Sequence, residues 1–153
     1  MEKIIGELLK RKNFTISCAE SCTGGLLTSR LTDVAGSSDY VKGSVVVYSN
    51  EIKIFAVHVK EETLKNFGAV SEQTAFEMAL NIREIFKTDI GVGVTGIAGP
   101  GGGSAEKPVG LVYIGISDKN KTEVKKFNFS GSRVEIKNKS VDAALKMLKN
   151  FLS

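Results

Sequence analysis

Three stretches of the sequence put nucleophilic, basic and amide-rich residues where chemistry is possible: "AESCTGG" at 19–25, "YSNEIK" at 48–53 and "VTGIAGPGGGSAEKPVG" at 94–110. In the first, Ser21 stands just before a predicted helix, beside backbone N–H groups that lack helical partners, and Gly24 and Gly25 allow a ligand close to those amides. Such a turn can hold a phosphate or an oxyanion. Ser21 and Thr23 have two competing roles, capping that helix or doing chemistry. Cys22 is a rival nucleophile, because a helix N-terminus favours a thiolate. In the second stretch, Asn50 is read as the cap of a helix in which Lys53 takes about the third position, where the positive end of the helix dipole opposes another positive charge. Partial desolvation would lower its pKa further and make it a general base, whereas the plain alternative is a solvated surface lysine. Tyr48, at the preceding strand end, packs its ring and sends its hydroxyl to the sheet edge. In the third, Thr95, Gly96, Gly99, Gly101, Gly102, Gly103 and Ser104 either wrap a polar ligand or form a structural crossover.

Other chemistries fit less well. "GVGVTG" matches G-x-G-x-x-G only formally, since its glycines fall inside a predicted strand, and no glycine run is followed by the Lys and Ser or Thr of a phosphate-binding P-loop. The single histidine, His58, lies away from the helix start and makes a poor triad member, so the base available to a serine is a lysine. No Cys/His or acidic cluster has metal-ligand spacing, and neither a metal nor another cofactor is expected. The net charge of +4 comes from scattered lysines without interleaved aromatics, which argues against a nucleic-acid surface. Cys18 and Cys22 are too close for a long-loop disulfide, and a reducing, cytoplasmic setting is expected. Neither a signal peptide nor an uninterrupted apolar run of spanning length occurs, so no membrane partner is expected.

The elements that must position these residues follow from periodicity. The 153 residues, 42% of them hydrophobic, suffice for one domain over 1–153. Ile4, Ile5, Leu8 and Leu9 share one face of a first helix, "FTISCA" is a strand, and "TGGLLTSRLTDVAGSS" continues as an amphipathic helix closed near Gly36. "KGSVVVYS" reads as a buried strand, and the helix after it is expected to turn Ile52, Phe55 and Ala56 inward. A short helix ends at Gly68, and Ser71 opens a long one with apolar positions 75, 78, 79, 82, 85 and 86 on one face. A strand at "DIGVGVTGIA", the irregular glycine loop, two strands separated by "KNK" and a helix from about 132 to 151 complete the chain. Their alternation predicts a three-layer α/β/α sandwich with a mixed sheet. Ligands in such sheets gather at the carboxyl ends of the strands, where all three stretches fall.

Taken with "GAVSEQTAFEMA" and "SGSR", the three stretches closely resemble the CinA C-terminal domain family, whose members include nicotinamide mononucleotide deamidase. The resemblance runs from about residue 5 to the C-terminus and implies a mainly parallel sheet. It implies an amidohydrolase that converts nicotinamide mononucleotide to nicotinate mononucleotide and ammonia. By position, Ser21 would be the nucleophile, Lys53 its base and Tyr48 a supporting donor. Thr95 would meet substrate or oxyanion, Arg133 would bind the nucleotide phosphate, and Asn50 with the loop glycines would line the site. Ser132 replaces the acid of the family's usual "GDR", and "GPGGGS" lacks an aspartate that often follows the proline. In larger members this unit follows a domain resembling molybdopterin-binding proteins, and no activity of that domain is expected here. Two alternatives to the amidohydrolase are a non-catalytic nucleotide-binding module and an interaction module linked to competence or DNA damage. Homo-oligomerisation is also expected.

Overall fold

The computed structural model describes residues 1–153. Five strands form one mixed sheet in the order β2-β1-β3-β4-β5, with β1 at Ile16–Glu20, β2 at Val41–Val46, β3 at Ile90–Gly96, β4 at Leu111–Ser117 and β5 at Thr122–Asn128. The first three strands are parallel, β4 reverses, and β5 returns to their direction. Helices α1 (Glu2–Lys12), α2 (Leu26–Thr32) and α6 (Arg133–Leu152) cover one face, and α3 (Asn50–Val57), α4 (Glu61–Phe67) and α5 (Glu72–Phe86) the other. The three-layer expectation holds.

The two faces of the sheet have different compositions because side chains alternate along a strand. Toward α1, α2 and α6 point Ile16, Cys18, Val92, Val94, Ile114 and Ile116, which make the larger core. Toward α5 the same strands present Gly91, Gly93 and Gly115. A Cβ at Gly91 would lie 2.2 Å from the Ala79 carbonyl oxygen, and one at Gly93 2.7 Å from the Ala79 nitrogen. Gly91 and Gly93 of "GVGVTG" therefore serve to seat α5 against the sheet, its backbone almost touching theirs.

Several local expectations are corrected. Helix α2 ends at Thr32, and a 3₁₀ turn at Ser37–Asp39 intervenes before β2. Strand β2 is a half-exposed sheet edge, covered only in part by its neighbours. Helix α3 is capped by Ser49, whose side chain accepts the Ile52 N–H, so Asn50 is the first helical residue and Lys53 the fourth. The buried residues of α3 are Lys53 and Val57, while Phe55 is 80% exposed and Ile52 42% exposed. A two-turn helix has one narrow inner stripe, and the i, i+4 pair Lys53 and Val57 occupies it. Ile4 also faces outward, as the flank of the α1 stripe formed by Ile5, Leu8 and Leu9.

Candidate active site

The carboxyl ends of β1, β2 and β3 open into one cavity of about 270 Å³. Ser21 is the first residue beyond β1 and stays in register, its N–H donating to the Val94 carbonyl at 2.9 Å. That bond holds its side chain, 6% exposed, at the cavity floor. Lys53 reaches the same point from α3, 2% exposed, with Nζ 3.1 Å from Ser21 Oγ, 2.9 Å from the Val47 carbonyl oxygen and 3.5 Å from that of Tyr48. Burial lowers the Lys53 pKa below the ordinary lysine value, against a smaller opposing influence from Cys22. A neutral amine has two hydrogens and one lone pair. The protonated amine donates to Ser21 Oγ, and once it is neutral its two hydrogens can stay on the carbonyls and its lone pair can accept the Ser21 O–H.

Cys22 lies in the same cavity, and burial pushes its thiol up to about 12, well away from a thiolate. The helix start that should have favoured ionisation is already occupied. The fully buried Glu20 carboxylate accepts the Leu27 N–H at 2.9 Å and the Thr28 N–H at 3.0 Å, together with the hydroxyls of Thr23 and Thr28, each at 2.7 Å. Thr23 is thereby turned away from the cavity, and the first amides of α2 are closed to an incoming anion. Gly24 and Gly25, both at positive φ, shape this turn without lining the cavity. The backbone N–H of Cys22, next to Ser21, has no backbone acceptor in the chain.

The glycine loop forms the opposite wall through Gly96, Gly99, Gly101 and Gly102. At Gly96 a Cβ would press on the Leu111 carbonyl oxygen at 2.8 Å and on Cys22 Sγ at 3.1 Å. Ser104 lies outside the cavity in its own turn, its hydroxyl accepting the Lys107 N–H. Thr95 lines the cavity, but its hydroxyl donates to the Ala69 carbonyl at 2.8 Å, so it offers lone pairs to a ligand, not the expected donor. Asn50 and Tyr48 bound the mouth. Arg133, at the start of α6, spans it with one guanidinium nitrogen donating to the Gly99 carbonyl at 2.6 Å and another to the Tyr48 hydroxyl at 2.7 Å. Tyr48 is 61% exposed: its ring is not packed as expected, because the chain has left β2 two residues earlier, and it stands at the rim instead.

Three contributors escaped sequence reasoning. The buried Glu20 carries a signal only in hindsight, as an acid ending a buried strand. Ala69 and Val70, between α4 and α5, supply a wall; they fall inside "GAVSEQTAFEMA", but nothing in that stretch marked them as lining the site. Lys107, in "EKPVG", donates to the Phe67 carbonyl at 2.5 Å and so ties the glycine loop to the end of α4. No group of three His, Cys, Asp or Glu side chains is placed to hold a metal ion, and no helix is long and apolar enough to cross a membrane.

Comparison with known proteins places this architecture among relatives. The model of the family described as the CinA C-terminal domain matches residues 1–152. A CinA-like protein of Endomicrobium trichonymphae is 53% identical over 152 residues, covering 99% of this chain and 36% of its own. A competence-damage inducible protein of Caldanaerobacter subterraneus is 51% identical, over 99% of this chain and 37% of its own. The chain thus spans about a third of the length of these relatives. Among solved structures, a competence/damage inducible protein of Agrobacterium tumefaciens superposes with TM-score 0.88 at 44% identity, covering 95% of this chain and 93% of that one. One from Enterobacter asburiae gives TM-score 0.96 at 36% identity, over 99% and 96%.

Proposed function

The chain belongs to the CinA C-terminal domain family, and from that premise we propose that it is a carboxamide hydrolase, a deamidase of nicotinamide mononucleotide. The observation that carries this reading is the buried Lys53 amine 3.1 Å from Ser21 Oγ, with two backbone carbonyls accepting its hydrogens. In that arrangement neutral Lys53 takes the Ser21 proton as Oγ attacks the carboxamide carbon of the nicotinamide. The tetrahedral oxyanion meets the N–H of Cys22, and each such donor is typically worth about 3 kcal/mol in the transition state. The Lys53 proton then passes to the amide nitrogen, the C–N bond breaks, and ammonia leaves. Water, deprotonated by the same amine, hydrolyses the ester to nicotinate mononucleotide and restores Ser21. The pyridinium charge of this substrate makes its carboxamide carbon more electrophilic.

The direct test is ammonia release from nicotinamide mononucleotide by chelator-treated protein, alongside Ser21→Ala and Lys53→Ala. Release by the parent alone supports both assignments. A folded parent that releases none, yet gains melting temperature with the nucleotide, would replace the hydrolase with a binding module.

A further inference from the structure

The connection between α4 and α5 has three successive carbonyls, at Phe67, Gly68 and Ala69, and each accepts a side chain from a different part of the chain. Phe67 accepts Lys107 Nζ at 2.5 Å, Gly68 the Thr74 hydroxyl at 2.7 Å, and Ala69 the Thr95 hydroxyl at 2.8 Å. Carbonyls at and beyond a helix end have no helical partner, so these donors hold the segment that presents Ala69 and Val70 to the cavity. The opposite wall is built differently. A Cβ at Gly103 would lie 2.7 Å from the Val109 nitrogen, whereas one at Gly101 would have nothing within 4 Å. The glycine loop is thus packed at its base, while its tip, Gly101 and Gly102, lines the cavity with little support.

Lys107 joins the two walls. Its N–H donates to the Ser104 hydroxyl at 3.0 Å and its carbonyl accepts the Ser104 N–H at 2.8 Å, so its side chain anchors that limb of the loop as a unit. Its ammonium sits against Gly68, where a Cβ would stand 2.9 Å from Nζ. Lys107 makes no ion pair and lies outside the cavity, so the bond to Phe67 is its contribution to the site.

We propose that Lys107 is a positioning residue: its tie to Phe67 fixes the Ala69–Val70 wall against the glycine loop, and so sets how closely the cavity fits a bound substrate. It acts on binding and leaves the chemical step alone, because Ser21 and Lys53 are held from β1 and α3 by bonds in which Lys107 has no part. The proposal deepens the deamidase reading and rests on it for its turnover test alone. Without a donor at 107 the limb would be loose in the free protein, and each binding event would carry the cost of ordering it.

The test compares residue-resolved hydrogen exchange and ammonia release for the parent, Lys107→Met, Lys107→Arg and Lys65→Met. Lys65 is exposed in the last turn of α4, so its substitution removes the same charge from that helix end and leaves the tie in place. In Lys107→Met the hydrogen-bonded amides of Gly68, Ser104 and Lys107 should exchange about tenfold faster while those of β3 keep their rates. KM for nicotinamide mononucleotide should rise about tenfold with kcat within about twofold of the parent, and Lys107→Arg, which can still donate to the carbonyl, should restore most of the KM. Unchanged exchange or KM in Lys107→Met, an equal change in Lys65→Met, or a fall in kcat at constant KM would overturn the proposal. If the parent releases no ammonia, the deamidase reading falls and exchange alone decides: acceleration confined to Lys107→Met upholds the tie, and its absence overturns it.

Discussion

Ser21 and Cys22 are neighbours beside one amine, and burial decides between them. A hydroxyl loses little by burial while neutral and gains a base 3.1 Å away, whereas the Cys22 thiol, pushed up to about 12, cannot ionise near neutral pH. Cys22→Ala should therefore retain turnover within about tenfold, and Ser21→Ala should lose at least about a thousandfold in kcat, both measured as ammonia release. Lys53 makes a sharper prediction. Its proposed role as base requires the neutral amine, so kcat/KM should rise with pH through a lowered lysine pKa, and Lys53→Arg should be inactive because a guanidinium stays protonated. The same shift links to stability. Between the lowered folded pKa and the ordinary value of 10.5 the unfolded chain binds the extra proton, so this group makes folding more favourable as pH rises through that window. Denaturant midpoints for parent and Lys53→Met across that range should converge upward in pH; parallel curves would exclude the linkage.

Among the elements, two contacts govern how firmly Ser21, the proposed nucleophile, is held. Helix α5 rests on glycines of β3 and β4, and Gly93→Ala would drive a methyl into the Ala75 and Ala79 backbone at 2.7–2.8 Å. The expected cost is about 2–3 kcal/mol, seen as a fall of roughly 5–10 °C in melting temperature. On the other face, Glu20→Ala would strand two amides of α2 and the Thr23 hydroxyl, while the Thr28 hydroxyl keeps Ser44, costing about 3 kcal/mol and loosening the Ser21 turn. Most element positions were readable because their periods are long: α5 and α6 run 15 and 20 residues, enough for a stripe to declare itself. The orientation of α3 was not. Its eight residues carry apolar groups on both sides, and hydropathy places Phe55 inside before Lys53. Only the carbonyls of Val47 and Tyr48, presented by the preceding turn, make burial of the amine tolerable. Likewise, "AESCTGG" marked the right turn but not its occupant, since Glu20 finds its partners three to eight residues onward. The Thr95–Ala69 and Lys107–Phe67 links depend on segments 26 and 40 residues apart, beyond any local pattern.

At the scale of the molecule, strand direction divides the sheet into a working end and a quiet end. Strands β1, β2 and β3 deliver their carboxyl ends to the cavity, and β5 runs the same way, returning the chain there to begin α6 at Arg133. The β4–β5 turn, Asp118 to Lys121, lies at the opposite end. Inserting two glycines after Asn120 should leave kcat/KM within about twofold while lowering the melting temperature slightly; a loss of activity would show that the two ends communicate. The rim has a consequence for encounter. Both acceptors on Arg133, the Tyr48 hydroxyl and the Gly99 carbonyl, are uncharged, and no carboxylate pairs with it, so no partner charge cancels its positive field at the rim. Capture of an anionic ligand should therefore be faster than its diffusional collision rate alone, and should slow as added salt shortens the range of that attraction, with the chemical step left untouched.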